Sequence, residues 1–252
     1  MKPGAVSSQA SLKIGLIGYG KMGKMVEKEA KLRGHVIAAL VDHHTVPSLS
    51  LKEAIDKSDI LIDFSSAESV PETIHACAKA KKNLVIGTTG WGSQDQAMKI
   101  AKDSGIGVLF SPNFSIGMLL FIRLVSDAAR LYSKVDGYDI GGFETHHSKK
   151  ADSPSGTAKA IAAEIIRSWP QKTEILYDVP EGIVPPQALH FGSLRMGFCP
   201  GMHQVTIDSP QDTITLTHSA KGREGFALGA VLAAEWLYGK TGYFTMEDLL
   251  EC

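Results

Sequence analysis

The segment Glu144–Ala158 carries the side chains in this sequence that are best suited to chemistry. It contains two adjacent histidines, His146 and His147, and a lysine pair that ends at Lys150. Imidazole and ammonium groups can move protons near neutral pH. The run Pro154–Thr157 then predicts the start of a helix, where backbone N–H groups bind anions. This combination indicates an enzyme that binds a small anionic substrate and protonates it.

The same segment has plainer interpretations. A serine that follows proline at a helix start is also ordinary capping, and one lysine of the pair could be a solvated charge. His146 and His147 could bind a metal, but adjacent residues of a strand point to opposite faces. We therefore expect no metal site. Capping alone does not explain why imidazoles and lysines occur together here.

The motif Gly18-x-Gly20-x-x-Gly23 predicts a dinucleotide site. It follows an apolar strand predicted at residues 12–17 and opens a predicted helix. Asp42 ends the next strand, where the acid of this fingerprint binds the ribose 2′-hydroxyl. Asp42 favours NAD because its charge repels a 2′-phosphate, whereas a protonated His43 or His44 could accept that phosphate. The alternative is a glycine-rich turn without a ligand.

Two more loops follow predicted strands. Gly87-Thr88-Thr89-Gly90 follows the fourth strand, and Asn113 and Phe114 follow the fifth. Loops at the carboxyl ends of parallel strands line the ligand crevice, and small residues there let a nicotinamide ring approach the backbone. Plain turns are the alternative for both loops.

Strands and helices alternate in the first part of the chain and not in the second. After the first strand, the predicted elements are strands at 35–42, 59–64, 83–86 and 106–110, with helices to about residue 32 and at 67–80 and 94–102. This alternation implies a Rossmann-type, doubly wound parallel sheet. Later elements are helices at 115–133, 156–169 and 224–238, a strand at 135–144, and an antiparallel hairpin of 204–208 with 213–217. Residues 170–188, rich in proline and glutamate, predict a loop.

These patterns predict an α/β protein with a second α+β part. We expect a dinucleotide-binding domain at 12–113 and an α+β domain with a mixed or antiparallel sheet at 114–219. The apolar last helix predicts that residues 220–252 return to the first domain.

Composition excludes several classes of function. The chain has 252 residues and a formal net charge of −1, which is not the signature of a nucleic-acid binder. Residues 1–11 do not resemble a signal peptide, and the longest apolar segment, 226–238, is too short to span a bilayer. Three scattered cysteines fit a reducing compartment. We expect a cytoplasmic protein that binds neither nucleic acid nor membrane.

The segment at 144–158 resembles the signature of the dihydrodipicolinate reductase family, also called 4-hydroxy-tetrahydrodipicolinate reductases. The family pattern Glu-x-His-x-x-x-Lys-x-Asp-x-Pro-Ser-Gly-Thr-Ala is matched at Glu144, His146, Lys150, Asp152 and Pro154 to Ala158. The similarity extends to residues 18–23 and 87–90, to Asn113 and Phe114, and to Arg195, Gly201 and His203.

The resemblance implies a reductase of diaminopimelate and lysine synthesis. It would transfer hydride from NADH or NADPH to C4 of a cyclic imine dicarboxylate, with loss of water. By analogy, His146 donates the proton, Lys150 helps to polarise the substrate, Gly156 and Thr157 hold a carboxylate through N–H groups, and His147 adds a contact. The expected cofactor contacts are Gly18, Gly20, Lys21, Met22, Gly23, Asp42, Gly87, Thr88, Thr89, Asn113 and Phe114. The family is usually a homotetramer joined through the sheets of the second domain, so the resemblance implies that residues 114–219 are a substrate-binding and oligomerisation domain.

Some positions depart from the family. Gly141 and Gly142 replace an acidic and a branched residue, and Met202 replaces an acidic residue before His203. The pair that begins at Asp42 leaves the choice between NADH and NADPH open. Two rival functions also stay open: an amino-acid or sugar dehydrogenase, and a redox sensor that binds NADH without turnover. The sensor would leave the histidines and lysines unexplained.

Overall fold

The computed structural model describes residues 10–42 and 48–251 of the chain. In chain order the elements are β1 (Lys13–Ile17), α1 (Lys21–Leu32), β2 (Val36–Val41), α2 (Leu51–Lys57), β3 (Ile60–Asp63), α3 (Val70–Ala80), β4 (Asn83–Ile86), α4 (Gln94–Ser104), β5 (Gly107–Phe110), α5 (Ile116–Tyr132), β6 (Asp139–His146), α6 (Gly156–Ser168), β7 (Glu174–Leu176), β8 (Ala188–Arg195), β9 (Met202–Asp208), β10 (Thr213–Ser219), α7 (Glu224–Leu237), β11 (Gly242–Phe244) and α8 (Met246–Leu250). His43 and His44, the predicted partners of a 2′-phosphate, lie outside the described residues.

The chain divides into two units. The first comprises residues up to Ile116 together with those from Arg223 onward, and the second is Gly117–Gly222. Within the described residues, no helix is long and apolar enough to cross a membrane.

The first unit contains a six-stranded sheet in the order β11-β5-β4-β3-β1-β2, in which every pair of neighbours is parallel. Strands β3 and β5 are buried along their whole length, as expected for strands that helices cover on both faces. The predicted doubly wound parallel sheet is confirmed. The edge strand β11 was not predicted, because three residues that include a glycine have little strand character of their own.

A buried ion cluster holds α7 in this first unit. The carboxylate of Glu235 accepts two hydrogen bonds from Arg33, from Nε at 2.6 Å and from Nη2 at 2.8 Å. His35 Nε2 lies 2.7 Å from the same carboxylate, and His35 Nδ1 accepts from the backbone N–H of Leu12 at 3.2 Å. The last helix is thereby tied to the turn between α1 and β2.

The second unit contains a five-stranded mixed sheet in the order β10-β9-β6-β8-β7. Strands β9 and β10 form the predicted antiparallel hairpin, and β9 is also antiparallel to β6, whereas β6 and β8 are parallel. The loop predicted at 170–188 is wrong at Glu174–Leu176, which pairs with β8. The prolines and glutamates on either side of this short edge strand are typical of loops, so the sequence pattern does not indicate a strand there. Strand β8 was missed entirely, although Leu189 and Phe191 alternate on its buried face.

The register of β6 determines the site in this unit. The strand runs from Asp139 to His146, whereas the sequence predicted an end at Glu144, so His146 belongs to the sheet. Glu144 lies opposite His203 on β9 and Ser193 on β8. One face of the sheet packs on α5 and α6 through a buried apolar core. Three polar side chains from different strands therefore meet at the end of β6.

Candidate active site

The glycine loop between β1 and α1 borders a cleft of about 480 Å³ in the first unit. Loops after β1, β3 and β4 converge there, at the carboxyl ends of parallel strands where such sheets bind ligands. The lining residues are Gly20, Lys21, Met22, Phe64, Ser65, Ala67, Gly87, Thr88, Thr89 and Arg223. Six of these were predicted from sequence. Arg223 was missed because it lies far along the chain, at the start of α7.

The three glycines of the motif do different things. Gly18 has φ +85°, and a Cβ there would lie 2.3 Å from the carbonyl oxygen of Phe64. A Cβ on Gly23 would lie 2.3 Å from the carbonyl oxygen of Gly18. At Gly20, by contrast, a Cβ would meet no protein atom within 4 Å. Gly20 also precedes the first turn of α1, so the space beside the helix start is open to an anionic group.

Several residues predicted to bind cofactor do not line this cleft: Gly18, Gly23, Asp42, Asn113 and Phe114. Asp42 stands at the end of β2, and its Oδ1 accepts from the backbone N–H of Tyr19 at 3.3 Å, which places the carboxylate beside the glycine loop. Phe114 is buried and packs edge-on against Phe64 at 5.8 Å between ring centroids.

Asp63, which the sequence analysis did not single out, ties two cleft loops together. Its buried Oδ1 accepts from the backbone N–H of Ser65 at 2.9 Å and from Thr88 Oγ1 at 2.9 Å. Burial raises the pKa of Asp63, and these hydrogen bonds partly oppose that shift. The Phe64 ring lies so close to Gly87 that a Cβ there would be 2.1 Å from it. The cleft wall is therefore tightly packed.

Glu144 is the centre of the polar site in the second unit, and its side chain has no exposed surface. Its Oε1 accepts from the backbone N–H of Ser155 at 2.8 Å, from Ser193 Oγ at 3.0 Å and from Arg195 Nη2 at 2.8 Å. Its Oε2 accepts a short hydrogen bond from the Ser155 hydroxyl. Three elements, β6, β8 and the start of α6, therefore share one carboxylate.

Two imidazoles face the same carboxylate. His146 Nε2 lies 3.2 Å and His203 Nε2 3.3 Å from Glu144 Oε2. Burial alone would raise the pKa of Glu144, but hydrogen bonds from His203, Ser155 and Arg195 outweigh it and hold the pKa well below the usual range. Glu144 is therefore an anion at any physiological pH.

His146 is the last residue of β6 and is 8% exposed. Burial lowers the pKa of its imidazole, and the positive charges of His203, Lys150 and Arg195 lower it further, while Glu144 opposes them. Gly201, at φ +147°, packs on the ring edge, since a Cβ there would lie 2.7 Å from His146 Cε1. A histidine with these neighbours can release a proton readily near neutral pH.

The same cluster is the one group of possible metal ligands among the described residues. Ligand atoms of Glu144, His146 and His203 lie within 4.8 Å of one another. The sequence analysis weighed a metal only for His146 with His147, because it could not pair strands β6 and β9. Since Glu144 already accepts from Ser155 and Arg195, we interpret the cluster as an ion-pair network.

The start of α6 forms the second part of this site. Ser155 caps the helix, and the backbone N–H groups of Gly156 and Thr157 have no acceptor within the helix. Gly156 is exposed, and a Cβ there would meet nothing within 4 Å. An anion therefore has access to this helix start.

A carboxylate of the chain itself already lies at this position. Lys150 Nζ donates to Asp152 Oδ1 at 2.7 Å, and the side chain of Asp152 is 55% exposed. The hydrogen bond from Lys150 lowers the pKa of Asp152, and one from the Gly156 N–H contributes. Lys150 and the Gly156 N–H, two groups of the predicted site, thus already interact with a carboxylate of the chain itself. His147 is half-buried just beyond β6 and is not part of the Glu144 cluster.

A parallel sheet with a glycine loop at its carboxyl edge is typical of dinucleotide-dependent oxidoreductases, and the second unit adds a buried carboxylate that faces two imidazoles. Family models described as dihydrodipicolinate reductase, N-terminus and C-terminus, match residues 12–114 and 117–250. The chain belongs to the dihydrodipicolinate reductase family.

Individual relatives agree with this assignment. The chain is 37% identical over 245 residues to the 4-hydroxy-tetrahydrodipicolinate reductase of Christiangramia forsetii, covering 95% of this chain and 98% of the relative. It is 37% identical over 241 residues to the enzyme of the same name from Caldanaerobacter subterraneus subsp. tengcongensis, covering 92% and 95%.

Solved structures show the same fold at lower sequence identity. The dipicolinate-bound dihydrodipicolinate reductase from Paenisporosarcina sp. TG-14 matches with a TM-score of 0.78 and 23% identity, covering 93% of this chain and 97% of that chain. An amine dehydrogenase from Mycobacterium smegmatis matches with a TM-score of 0.60 and 10% identity, covering 96% and 97%. At such identities the likeness concerns architecture alone.

Proposed function

We propose that this protein reduces 4-hydroxy-tetrahydrodipicolinate to tetrahydrodipicolinate with NADH or NADPH, as a step of diaminopimelate and lysine biosynthesis. Family membership and the names of the relatives support this function. The observation that carries it is Glu144, whose carboxylate contacts both His146 and the capping residue Ser155. Glu144 thereby holds the proposed proton donor and the proposed carboxylate site next to each other. A dicarboxylate substrate that must be protonated needs both.

The chemistry needs one hydride, one proton and the loss of one water. Loss of the C4 hydroxyl, together with a hydrogen of the neighbouring ring carbon, as water leaves a conjugated imine. A bound nicotinamide would supply the hydride, which this imine accepts at C4. The electron pair of the imine moves onto the ring nitrogen, and His146 gives a proton to that nitrogen. General acid help of this kind typically contributes about 10²–10⁴ in rate. Lys150 supports the same step, because its positive charge stabilises the developing anion.

Substrate binding is assigned to the start of α6. The N–H groups of Gly156 and Thr157 hold one carboxylate, Lys150 neutralises it, and His147 adds a contact at the rim. Because Asp152 accepts from Lys150 at 2.7 Å, the substrate carboxylate must displace it from that ammonium. The exchange of one carboxylate for another keeps the charge balance of the site unchanged.

Cofactor binding is assigned to the cleft of the first unit. The open space beside Gly20 suits the pyrophosphate, and the cations Lys21 and Arg223 line the same cleft. Gly87, Thr88 and Thr89 lie on its wall, where a nicotinamide can approach the backbone. Asp42, beside the glycine loop, is assigned to the ribose and favours a cofactor without a 2′-phosphate.

A homotetramer is part of the proposal, and the open face of the second sheet supports it. Phe143 on β6 and Leu194 on β8 are exposed large apolar residues of this sheet. On β10 the threonines at 213, 215 and 217 are exposed, whereas Ile214 and Leu216 pack into the core. A sheet with such a face can bind the same face of another copy. Cys77 and Cys199 are free thiols, which supports a reducing, cytoplasmic location.

The test is the oxidation of NADH and of NADPH with substrate generated in situ by the preceding synthase. Consumption that depends on the synthase supports the proposal, and the ratio of the two rates measures cofactor preference. A His146→Gln variant is the control, because loss of the proposed proton donor should reduce turnover. Cofactor binding without consumption would favour the sensor, whereas oxidation of an amino acid or sugar with NAD⁺ would favour the rival dehydrogenase.

A further inference from the structure

The two ring nitrogens of His146 are in different surroundings. Nε2 is buried and lies 3.2 Å from Glu144 Oε2, in an ion-pair contact without the geometry of a linear hydrogen bond. Because Nε2 faces the buried carboxylate of Glu144, it cannot also face a bound substrate. Nδ1 is then the nitrogen through which His146 can act on a substrate.

Glu144 is held too firmly to turn away from His146. Ser155 binds both of its oxygens, through the backbone N–H at 2.8 Å and through the hydroxyl, and Arg195 Nη2 binds Oε1 at 2.8 Å. Glu144 and His146 are two positions apart on one strand, so their side chains lie on the same face of the sheet. The carboxylate is thus a fixed anion against which the ring packs.

We propose that Glu144 is the positioning residue of the proton donor, and that it makes Nδ1 the atom of His146 that protonates the substrate. This inference rests on the proposed function and deepens it by naming the atom and its partner. In the step, the Nδ1–H bond of the imidazolium breaks and a bond from that proton to the substrate ring nitrogen forms. The imidazole stays neutral with its other proton on Nε2, toward Glu144.

The charges around His146 give the proposal a distinctive electrostatic consequence. The groups that face it are Glu144 on its own strand, Arg195 on β8, His203 on β9 and Lys150 in the following loop. Burial lowers the pKa of His146, Glu144 raises it, and the other three neighbours lower it. Loss of Glu144 should therefore lower this pKa, and loss of Arg195 should raise it.

The first experiment is the pH profile of kcat/KM for the wild type, Glu144→Gln and Arg195→Gln. Because His146 acts as an acid, the rate falls as pH rises through its pKa. We expect this limb to move to lower pH by about one unit in Glu144→Gln, the usual size for a lost neighbouring charge. We expect it to move to higher pH in Arg195→Gln. Opposite shifts cannot come from a general loss of structure, whereas an unchanged limb in both variants would overturn the proposal.

The second experiment needs neither turnover nor a Glu144 variant. Nitrogen chemical shifts of ¹⁵N-histidine in the ligand-free enzyme report which ring nitrogen carries the proton, and a His146→Asn sample assigns the signal. The proposal requires the Nε2–H form of neutral His146, so the Nδ1–H form would overturn it. If the wild type does not reduce the substrate, the proposed function fails, while this spectrum still decides the contact with Glu144.

Discussion

Ser155 Oγ accepts a hydrogen bond from the backbone N–H of Ala158 at 3.1 Å. This bond occupies the third N–H of helix α6 and leaves the first two, those of Gly156 and Thr157, directed out of the helix start. Because the same hydroxyl also donates to Glu144, whose carboxylate faces His146, the helix cap and His146 are parts of one network.

Replacing Gly156 with proline should remove one of the two N–H groups proposed to bind a substrate carboxylate, without disturbing the helix. Proline is well tolerated at the first helical position, and Ser155, at φ −67° and ψ 159°, already has the conformation that a residue before proline adopts. A hydrogen bond to a charged group is worth about 1.5–3 kcal/mol. We therefore expect the Kd for dipicolinate, measured by calorimetry, to rise about 10-fold or more.

Gly156→Ala is the matched control, because it keeps the N–H and adds a Cβ that meets nothing within 4 Å. Its affinity for dipicolinate should stay close to that of the wild type. Equal losses in the two variants would show that Gly156 matters for shape rather than for its N–H.

The glycine motif allows binding to be separated from stability. Gly20→Ala should leave the thermal unfolding temperature unchanged, since Gly20 has φ −73° and free space around it, yet the new methyl group would occupy the position proposed for the pyrophosphate. We expect weaker binding of NADH by fluorescence titration. Gly23→Ala should instead lower the unfolding temperature, because its Cβ would collide with the Gly18 carbonyl. If Gly20→Ala bound NADH as tightly as the wild type, the cofactor would not bind at this position.

Asp42→Asn should change cofactor preference. The substitution removes the negative charge beside the glycine loop while its amide oxygen can still accept from the Tyr19 N–H. A 2′-phosphate is then no longer repelled, so kcat/KM for NADPH should rise relative to that for NADH. A ratio equal to that of the wild type would place the adenine ribose away from Asp42.

Glu235→Gln should destabilise the first unit by about 3 kcal/mol at neutral pH, because Arg33 would lose a buried counter-charge and His35 would lose a charged hydrogen-bond partner. Burial alone would raise the pKa of Glu235, but Arg33 and His35 outweigh it and the pKa is lowered. A lowered carboxyl pKa contributes stability above its unfolded value of 4.5, and this is lost as pH falls through the folded value.

Urea unfolding of wild type and Glu235→Gln at several pH values checks this. The difference in unfolding free energy should be largest at neutral pH and shrink in acid. The exposed Glu224, on the same helix, supplies the control substitution to glutamine. A difference independent of pH would mean that packing, not charge, accounts for the effect.

Phe143→Asp together with Leu194→Asp should dissociate the proposed tetramer. Both side chains belong to the open face of the second sheet, where a buried carboxylate would lack a partner. Light scattering after gel filtration measures the mass directly. The exposed Leu32 on α1 is a control, because Leu32→Asp lies in the other unit. An unchanged mass in the double variant would exclude this face as the interface.

The regular elements could be predicted where local pattern is strong. Apolar runs such as Ile60–Asp63 and Asn83–Ile86 predict strands by themselves, and the alternation at 204–208 and 213–217 predicts the hairpin. Strand β7 has only three residues beside proline-rich loop, so its strand character depends on pairing with β8. The sequence predicted that β6 ends at Glu144, two residues too early. Thr145 and His146 are polar, so their residue types do not indicate that the strand continues through them.

The sequence by itself determined the two chemical segments of this protein: a glycine loop between strand and helix, and a stretch with His146, Lys150 and a capped helix start. Both are local, so spacing along the chain is enough to define them. Only the tertiary structure decided that Glu144 binds Arg195 and faces His203, and that Arg223 lines the cleft beside the glycine loop. These contacts depend on the register of strands that are far apart in sequence, which burial and backbone pairing across the sheet determine together.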